Sequence, residues 1–154
     1  MDIGEQVSDF ELPDQDGAPR RLGELLSAGP VVLFFYPAAM TSGCTAESCH
    51  FRDLAAEFAE LGAQRVGISG DSVERQAAFA DENGFDYPLL SDPDGRVARE
   101  FGVRRGGLLS AMAPTRRRTF VIGTDRRVLH MVKSEVRMEA HADGALEFLR
   151  GQRA

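Results

Sequence analysis

The sequence predicts a three-layer α/β domain with a mixed central sheet, and two patterns along the chain carry this prediction. An apolar strand, Val31 to Tyr36, is followed by a helix and then by a second strand, Arg65 to Ser69. Later in the chain, two strands and a helix follow in the order β-β-α. A strand–helix–strand unit implies parallel pairing through a right-handed crossover, whereas a hairpin is antiparallel. At this length, residues 1–154 are expected to form a single domain.

The first strand and the helix after it are the clearest elements. Val31 to Tyr36 is β-branched and aromatic with no polar face, which is typical of a central strand covered on both sides. Thr41 to Leu61 predicts one helix, and Gly62 is well placed to end it. The apolar residues of that helix recur at spacings of three and four: Phe51, Leu54, Ala55, Phe58 and Leu61.

The remaining elements are short and are predicted from local apolar runs and turn residues. In chain order they are an N-terminal hairpin with its turn at Asp14 to Gly17, a helix from Ser72 to Glu82 capped by Asp71 or Ser72, a strand from Pro88 to Leu90, a helix from Val97 to Phe101, a hairpin of Thr119 to Gly123 with Val128 to Val132, and a final helix with an apolar stripe at Ala142, Ala145, Leu146 and Leu149. The apolar stretch from Gly106 to Pro114 fits none of these patterns. The element order is that of the thioredoxin fold, preceded by an extra β-hairpin.

Composition narrows the range of functions. The net charge of -6 argues against a nucleic-acid partner, because phosphates attract basic surfaces. The longest apolar run, Val31 to Tyr36, is far too short to span a bilayer, and no cationic leader precedes it, so we expect a cytoplasmic protein without a membrane partner. In such a protein the two cysteines are buried and inert, catalytic, or bound to a metal.

Cys44 is the most informative residue, because it lies where a strand gives way to a helix. With Thr41 as the N-cap, Cys44 is the third helical residue, where amide N–H groups still lack intrahelical partners. The helix dipole there stabilises an anion, and the thiolate is the nucleophilic form of cysteine. A buried, inert cysteine is the alternative, but the polar Thr-Ser-Gly sequence before it is not typical of a core position.

Cys49 follows five residues after Cys44. On a helix this spacing corresponds to about 7.5 Å of rise and about 140° of rotation, so the two side chains point to different faces. A disulfide requires Cα atoms within about 7 Å and converging Cβ vectors. The two cysteines therefore either never pair, or they pair only after the first turns of the helix unwind.

The chain resembles a known family of enzymes. From Pro37 to Cys44 the spacing P-x-x-x-T-x-x-C resembles the active-site motif of peroxiredoxins, and C-T-A-E-S-C is similar to the bacterioferritin-comigratory protein (PrxQ) branch. The stretches DFELPDQDG, FFYP, FRDL, YPLLSDPDG and RRTFVI resemble that branch in the same order, so the resemblance covers nearly the whole chain. Ser42 stands where the branch often has proline, and Gly123 where it often has aspartate.

The resemblance implies a role for each matching residue. Cys44 matches the peroxidatic cysteine, Cys49 the resolving cysteine, Thr41 the threonine that hydrogen-bonds the thiolate and the peroxide, Pro37 the proline that shields the pocket, and Arg117 the active-site arginine. Arg116 and Arg118 flank Arg117, and strand alternation directs only one parity into the pocket. The free amides of Gly43 and Cys44 are expected to add donors for the substrate.

The implied function is that of a thiol-dependent peroxidase, an atypical 2-Cys peroxiredoxin. It would reduce hydrogen peroxide and organic hydroperoxides through a sulfenic acid on Cys44 and a disulfide between Cys44 and Cys49. Thioredoxin or a similar dithiol protein would regenerate it, no metal or organic cofactor is expected, and the resemblance favours a monomer. Glu47, one turn after Cys44, either orients an arginine or is a solvated helix carboxylate. The histidines show no spacing typical of metal ligands: His50, His130 and His141.

Three other functions remain open on the residues alone. A metal-binding protein would use Cys44, Cys49 and His50, but a four-ligand structural zinc site needs a second pair of ligands. A disulfide oxidoreductase of this fold has two residues between its cysteines, and this chain has four. A non-catalytic binding module on the same scaffold is the third, because a fold alone does not establish a function.

Overall fold

A computed structural model describes residues 1–105 and 115–153, and within them seven strands and six helices follow one another. They are β1 (Glu11–Pro13), β2 (Pro19–Arg21), α1 (Leu22–Leu26), β3 (Val31–Phe35), α2 (Ser42–Asp53), α3 (Ala55–Glu60), β4 (Gln64–Ser69), α4 (Val73–Asn83), β5 (Leu89–Ser91), α5 (Arg96–Glu100), β6 (Arg118–Ile122), β7 (Val128–Lys133) and α6 (Glu139–Arg153). The apolar stretch from Gly106 to Pro114 lies outside the described residues.

The central sheet is mixed, with the strand order β5-β4-β3-β6-β7. Strand β3 pairs in parallel with β4, and β4 pairs in parallel with β5. On the other side, β3 pairs antiparallel with β6, and β6 with β7. Strands β1 and β2 form a separate antiparallel pair near the N-terminus. The predicted fold class, a thioredoxin-like α/β domain with an extra N-terminal hairpin, is confirmed.

Strand β3 is buried on both faces, as the sequence predicts. Val31, Leu33 and Phe35 pack on one side of the sheet, together with the N-terminal segment, α1 and α5. Val32 and Phe34 pack on the other side, against residues of α2, α3, α4 and α6. This second layer fixes the position of α2, the helix that carries both cysteines.

The helix predicted from Thr41 to Leu61 is wrong as one continuous element. It begins at Ser42 and is broken at Leu54, whose φ of -98° and ψ of 21° separate α2 from α3. Near the end of α2, the carbonyl of Phe51 accepts a hydrogen bond from Arg65 Nη1 at 3.0 Å. Phe51 of α2 and Phe58 of α3 both bury their rings in the same layer, with centroids 5.8 Å apart.

The termini of two helices match their predicted signals. Gly62 follows α3 with a φ of +69°, a left-handed conformation that favours glycine. Ser72 caps α4, because its hydroxyl oxygen accepts a hydrogen bond from the amide of Arg75 at 3.2 Å. Within the described part of the chain, no helix is long and apolar enough to cross a bilayer.

We expect Phe51 to be a main anchor of α2. Its ring stacks on that of Phe34 in β3, with centroids 4.1 Å apart and an interplanar angle of 7°. Phe51→Ala removes this contact and leaves a cavity, so the free energy of unfolding should fall by roughly 3–5 kcal/mol in urea denaturation. Val136→Ala is the control, because the Val136 side chain is 83% exposed and its loss should change stability by less than about 0.5 kcal/mol. Equal effects of the two changes would contradict the packing described above.

Candidate active site

The connection between β4 and α4 holds the loop between β3 and α2 in place. The amide of Ala39 donates to Asp71 Oδ2 at 2.7 Å, and Arg75 Nη2 donates to the Ala39 carbonyl at 3.3 Å. At the start of this loop, the buried Tyr36 donates its hydroxyl to Gln76 Oε1 at 2.5 Å. The segment that contains Pro37 and leads into α2 is therefore fixed by several hydrogen bonds.

Thr41 is the N-cap of α2 by backbone position, but its side chain does not cap the helix. The Thr41 carbonyl accepts the hydrogen bond from the amide of Thr45 at 2.9 Å, as expected of an N-cap. The predicted N-cap position is therefore correct, but the Thr41 hydroxyl donates to the carbonyl of Ala38 at 2.8 Å instead of accepting from an amide of α2. With its hydrogen committed to Ala38, the Thr41 oxygen is oriented as an acceptor.

Cys44 is the third residue of α2 and is fully buried, with 0% exposure. The expectation that this is not a core position is wrong, because residues from outside α2 cover the first turn of the helix. A Cβ atom added at Gly43 would lie 3.4 Å from Arg117 Nη2 and 3.5 Å from Met138 Sδ. The side chain that covers this thiol is that of an arginine, Arg117.

Arg117 provides the cation at this site. Its Nη1 and Nη2 atoms both lie 3.4 Å from Cys44 Sγ, and only 7% of the residue is exposed. Antiparallel pairing aligns Arg118 with Phe35, so Arg117 lies beside the end of β3, close to the start of α2. Its neighbours have other surroundings: Arg116 is exposed, and Arg118 donates to Glu135.

Glu47 lies behind Arg117 and is fully buried. Its Oε1 atom accepts a hydrogen bond from Arg117 Nη1 at 2.8 Å, so the reading in which Glu47 orients an arginine is the correct one. Burial raises the pKa of Glu47 to about 8, although the charge and hydrogen bond of Arg117 oppose the rise. Burial alone would lower the pKa of Arg117, but Glu47 and Cys44 outweigh it and raise that pKa.

His141, on α6, extends this buried cluster and was missed by spacing arguments. Its Nδ1 atom lies 2.8 Å from Thr119 Oγ1 and 3.5 Å from Glu47 Oε2, and its Nε2 atom lies 2.8 Å from the carbonyl of Ser134. Burial lowers the pKa of His141. One signal in the sequence pointed to it: His141 precedes Ala145 and Leu149 by four and eight residues, on the buried stripe of α6.

Cys49 faces away from this cluster. It is partly buried, and its Sγ atom lies 3.6 Å from Asn83 Oδ1 at the end of α4. Both cysteines are free thiols. Cys44 faces Arg117 and Cys49 faces α4, so the separation predicted from helical geometry is present.

Comparison with known proteins gives the family. The model of the AhpC/TSA family matches residues 3–131. The chain belongs to the AhpC/TSA family. It is similar to the peroxidoxin BcpB of Mycobacterium tuberculosis, with 62% identity, a TM-score of 0.94, and coverage of 100% of this chain and 99% of that one.

Two further relatives identify the branch. The chain is 39% identical to the chloroplastic peroxiredoxin Q of Arabidopsis thaliana, over 96% of its own length and 66% of that protein. It is 29% identical to the bacterioferritin comigratory protein of Xanthomonas campestris, with a TM-score of 0.88 and coverage of 99% and 100% of the two chains. The predicted membership of the PrxQ branch is confirmed. The chain is a peroxiredoxin with thiol-dependent peroxidase activity.

Cys44, Cys49 and His50 are not grouped as ligands of one metal ion among residues 1–105 and 115–153 of this peroxiredoxin. His50 lies on the surface and pairs with Asp143 at 2.7 Å, away from Cys44. Within the described ranges, no three His, Cys, Asp or Glu side chains are grouped as metal ligands.

Gly43 and Cys44 lie in the first turn of α2, where their amides have no intrahelical acceptor.

The raised pKa of Glu47 predicts a specific pH dependence of stability. An unfolded chain releases this proton near pH 4.5, whereas the folded protein keeps it up to about pH 8. Stability from this group is therefore complete below pH 4.5 and is lost as pH rises to about 8. In urea unfolding, the stability of the wild type relative to Glu47→Gln should fall across this range by an amount on the order of a few kcal/mol.

A matched control uses the exposed Glu24, which pairs with Arg21 on the surface. Glu24→Gln should leave the slope of stability against pH close to that of the wild type. Parallel pH profiles for the wild type and Glu47→Gln would show that Glu47 keeps no extra proton in the folded state.

Proposed function

We propose that Cys44 is the peroxidatic cysteine of this enzyme and Cys49 its resolving cysteine. The observation that carries the proposal is the contact of both terminal nitrogens of Arg117 with Cys44 Sγ inside a buried site. A guanidinium in this position stabilises the thiolate over the thiol, and the thiolate is the attacking species. The dipole of α2 acts in the same direction, because Cys44 lies in its first turn.

Attack on the peroxide needs both a nucleophile and donors for the departing oxygen. Cys44 Sγ attacks one peroxide oxygen, the O–O bond breaks, and the other oxygen leaves and takes up a proton to become water or an alcohol. Arg117 and the amides of Gly43 and Cys44 supply N–H donors, in the manner of an oxyanion hole. The Thr41 oxygen accepts the hydrogen of the incoming hydroperoxide, and Pro37, which has no N–H, forms part of the wall.

Disulfide formation requires the start of α2 to unwind. Cys44 becomes a sulfenic acid, and Cys49 Sγ then attacks this sulfur and expels water. In the folded helix Cys49 faces Asn83 rather than Cys44, so the attack cannot occur in that geometry. A sulfenic acid is neutral where the thiolate was anionic, so oxidation removes the anion that faces Arg117 at the start of α2. Oxidation thereby weakens the contact between Arg117 and Cys44 that keeps the start of α2 folded.

An external dithiol protein, thioredoxin or one like it, is proposed to return the disulfide to two thiols by exchange. Hydrogen peroxide and organic hydroperoxides are the proposed substrates. The relative from Xanthomonas campestris has alkyl peroxide reduction activity, and Met138 gives this site an apolar edge suited to an alkyl group.

The remaining proposals concern the state of the protein. Both layers of the core draw on the N-terminal and C-terminal halves of the chain, which supports a single domain over residues 1–154. The cytoplasm is the proposed location, because two cysteines on one helix are not a structural disulfide framework of the kind found in secreted proteins. A monomer is proposed from the resemblance, and sedimentation of the reduced protein tests it.

Cysteine substitutions separate the two proposed roles. Cys44→Ser should abolish peroxide consumption, because no nucleophile remains. Cys49→Ser should consume about one equivalent of peroxide per chain and then stop without a disulfide. In the wild type, intact mass after peroxide treatment should show the loss of two hydrogens, mapped to a Cys44–Cys49 bridge. Full activity of Cys44→Ser, or stable thiols in excess peroxide, would refute this mechanism.

Arg117→Lys tests the proposed role of the Arg117 guanidinium. Lysine keeps the charge but cannot contact Cys44 through two nitrogens while also binding Glu47. The second-order rate constant for Cys44 oxidation, measured by stopped flow, should fall about 10²–10³-fold. Arg118→Lys is the matched control, because the neighbouring Arg118 binds Glu135 instead, and its rate should stay within about threefold. Similar losses in both variants would assign the effect to the segment rather than to the guanidinium.

A further inference from the structure

Two acids and two bases meet in the buried space between α2, β6 and α6. Cys44 and Glu47 become anions when they lose a proton, Arg117 is a cation, and His141 becomes a cation when it gains a proton. All four are at most 7% exposed, so solvent screens their charges poorly. Arg117 contacts both acids directly, and it is one cation for two potential anions.

The hydrogen bonds of His141 are compatible with either of its charge states. Nε2 faces the carbonyl of Ser134, an acceptor only, so Nε2 carries a hydrogen. Nδ1 faces the hydroxyl of Thr119, which donates to a neutral ring and accepts from a protonated one. Neither state leaves a ring nitrogen without a partner.

Glu47 has one oxygen that lacks such a partner. Oε1 is bound to Arg117, but Oε2 is buried without a hydrogen-bond partner and lies 3.5 Å from His141 Nδ1. A bare carboxylate oxygen in this position is costly, and a proton on either Oε2 or Nδ1 relieves the cost.

We propose that Glu47 and His141 share one proton, and that this proton reserves the charge of Arg117 for the Cys44 thiolate. His141 is thereby a positioning residue for the peroxidase reaction, acting through Glu47. The inference rests on the proposed role of Cys44 as the nucleophile.

Charge balance gives the physical reason. With the shared proton present, the pair is neutral, either as acid and imidazole or as carboxylate and imidazolium, and Arg117 is balanced by the thiolate alone. Without it, two anions compete for one guanidinium and the site carries a net negative charge. The two anions would repel each other, and Arg117 would no longer be available to the Cys44 thiolate alone.

A charged group outside the cluster, Glu135, does not compete for the guanidinium of Arg117. Glu135, on the segment before α6, is about 40% exposed and is occupied by Arg105, Arg118 and the amide of Arg117. Burial raises the pKa of Glu47 and lowers that of His141, which favours the proton on the carboxyl within the pair.

The test is a double-mutant cycle on the thiolate content of Cys44. In the Cys49→Ser background Cys44 is the remaining thiol, and its rate of alkylation by iodoacetamide at neutral pH reports the thiolate fraction. In H141N the new amide can donate to Glu47 Oε2 and stabilise the carboxylate anion. Alkylation of Cys44 should then slow about tenfold or more. In the E47Q background, which has no carboxylate, H141N should change the rate by less than about twofold.

The other outcomes contradict the proposal. Equal slowing by H141N in both backgrounds would mean that His141 acts by packing α6 against α2. No slowing, or faster alkylation, would mean that His141 does not govern the charge of Glu47. H50N is the matched control, because His50 pairs with Asp143 on the surface, and its alkylation rate should match that of the parent.

Infrared spectroscopy tests the proton itself in the unsubstituted enzyme. A carboxylic acid C=O band that E47Q removes, or the signature of an imidazolium that H141N removes, is expected at neutral pH. An ionised Glu47 beside a neutral His141 would overturn the proposal. Neither measurement uses peroxide, so failure of the proposed peroxidase mechanism would appear separately, as activity retained by Cys44→Ser.

Discussion

The guanidinium of Arg117 is the interaction on which the rest of the site depends. It contacts Cys44 Sγ through two nitrogens and Glu47 Oε1 through one of them, and it thereby ties the first two turns of α2 to the start of β6. Because Cys44 and Glu47 are fully buried, these contacts are made where charges are weakly screened. In the proposed mechanism, the same cation stabilises the nucleophile and holds the reduced helix in its folded form.

The topology of the sheet explains how an arginine more than seventy residues away from Cys44 reaches it. Strand β6 runs antiparallel beside β3, and the register that pairs Phe35 with Arg118 places Arg117 at the edge where β3 ends and α2 begins. His141 of helix α6 and Met138, the residue just before this helix, then cover this edge. Burial of Cys44 therefore comes from parts of the chain that are distant in sequence.

This division between local and distant contributions decides what the sequence could predict. The two-sided apolar strand, the position of Cys44 in the first turn of α2 and the divergence of Cys49 are local features and were predictable. Arg117 required the resemblance to peroxiredoxins, since spacing alone allowed a solvated arginine. The burial of Cys44, the break at Leu54 and the contact of His141 with Glu47 depend on tertiary packing, and no local pattern encodes them.

The central claim is that Arg117 keeps the start of α2 folded while Cys44 is reduced, and that disulfide formation requires this segment to unwind. Hydrogen–deuterium exchange of the reduced and the disulfide forms measures this directly. We expect amides from Thr45 to Cys49 to lose protection in the disulfide form, while those of β3 keep theirs. A Cys44–Cys49 disulfide formed with unchanged protection across α2 would contradict the account.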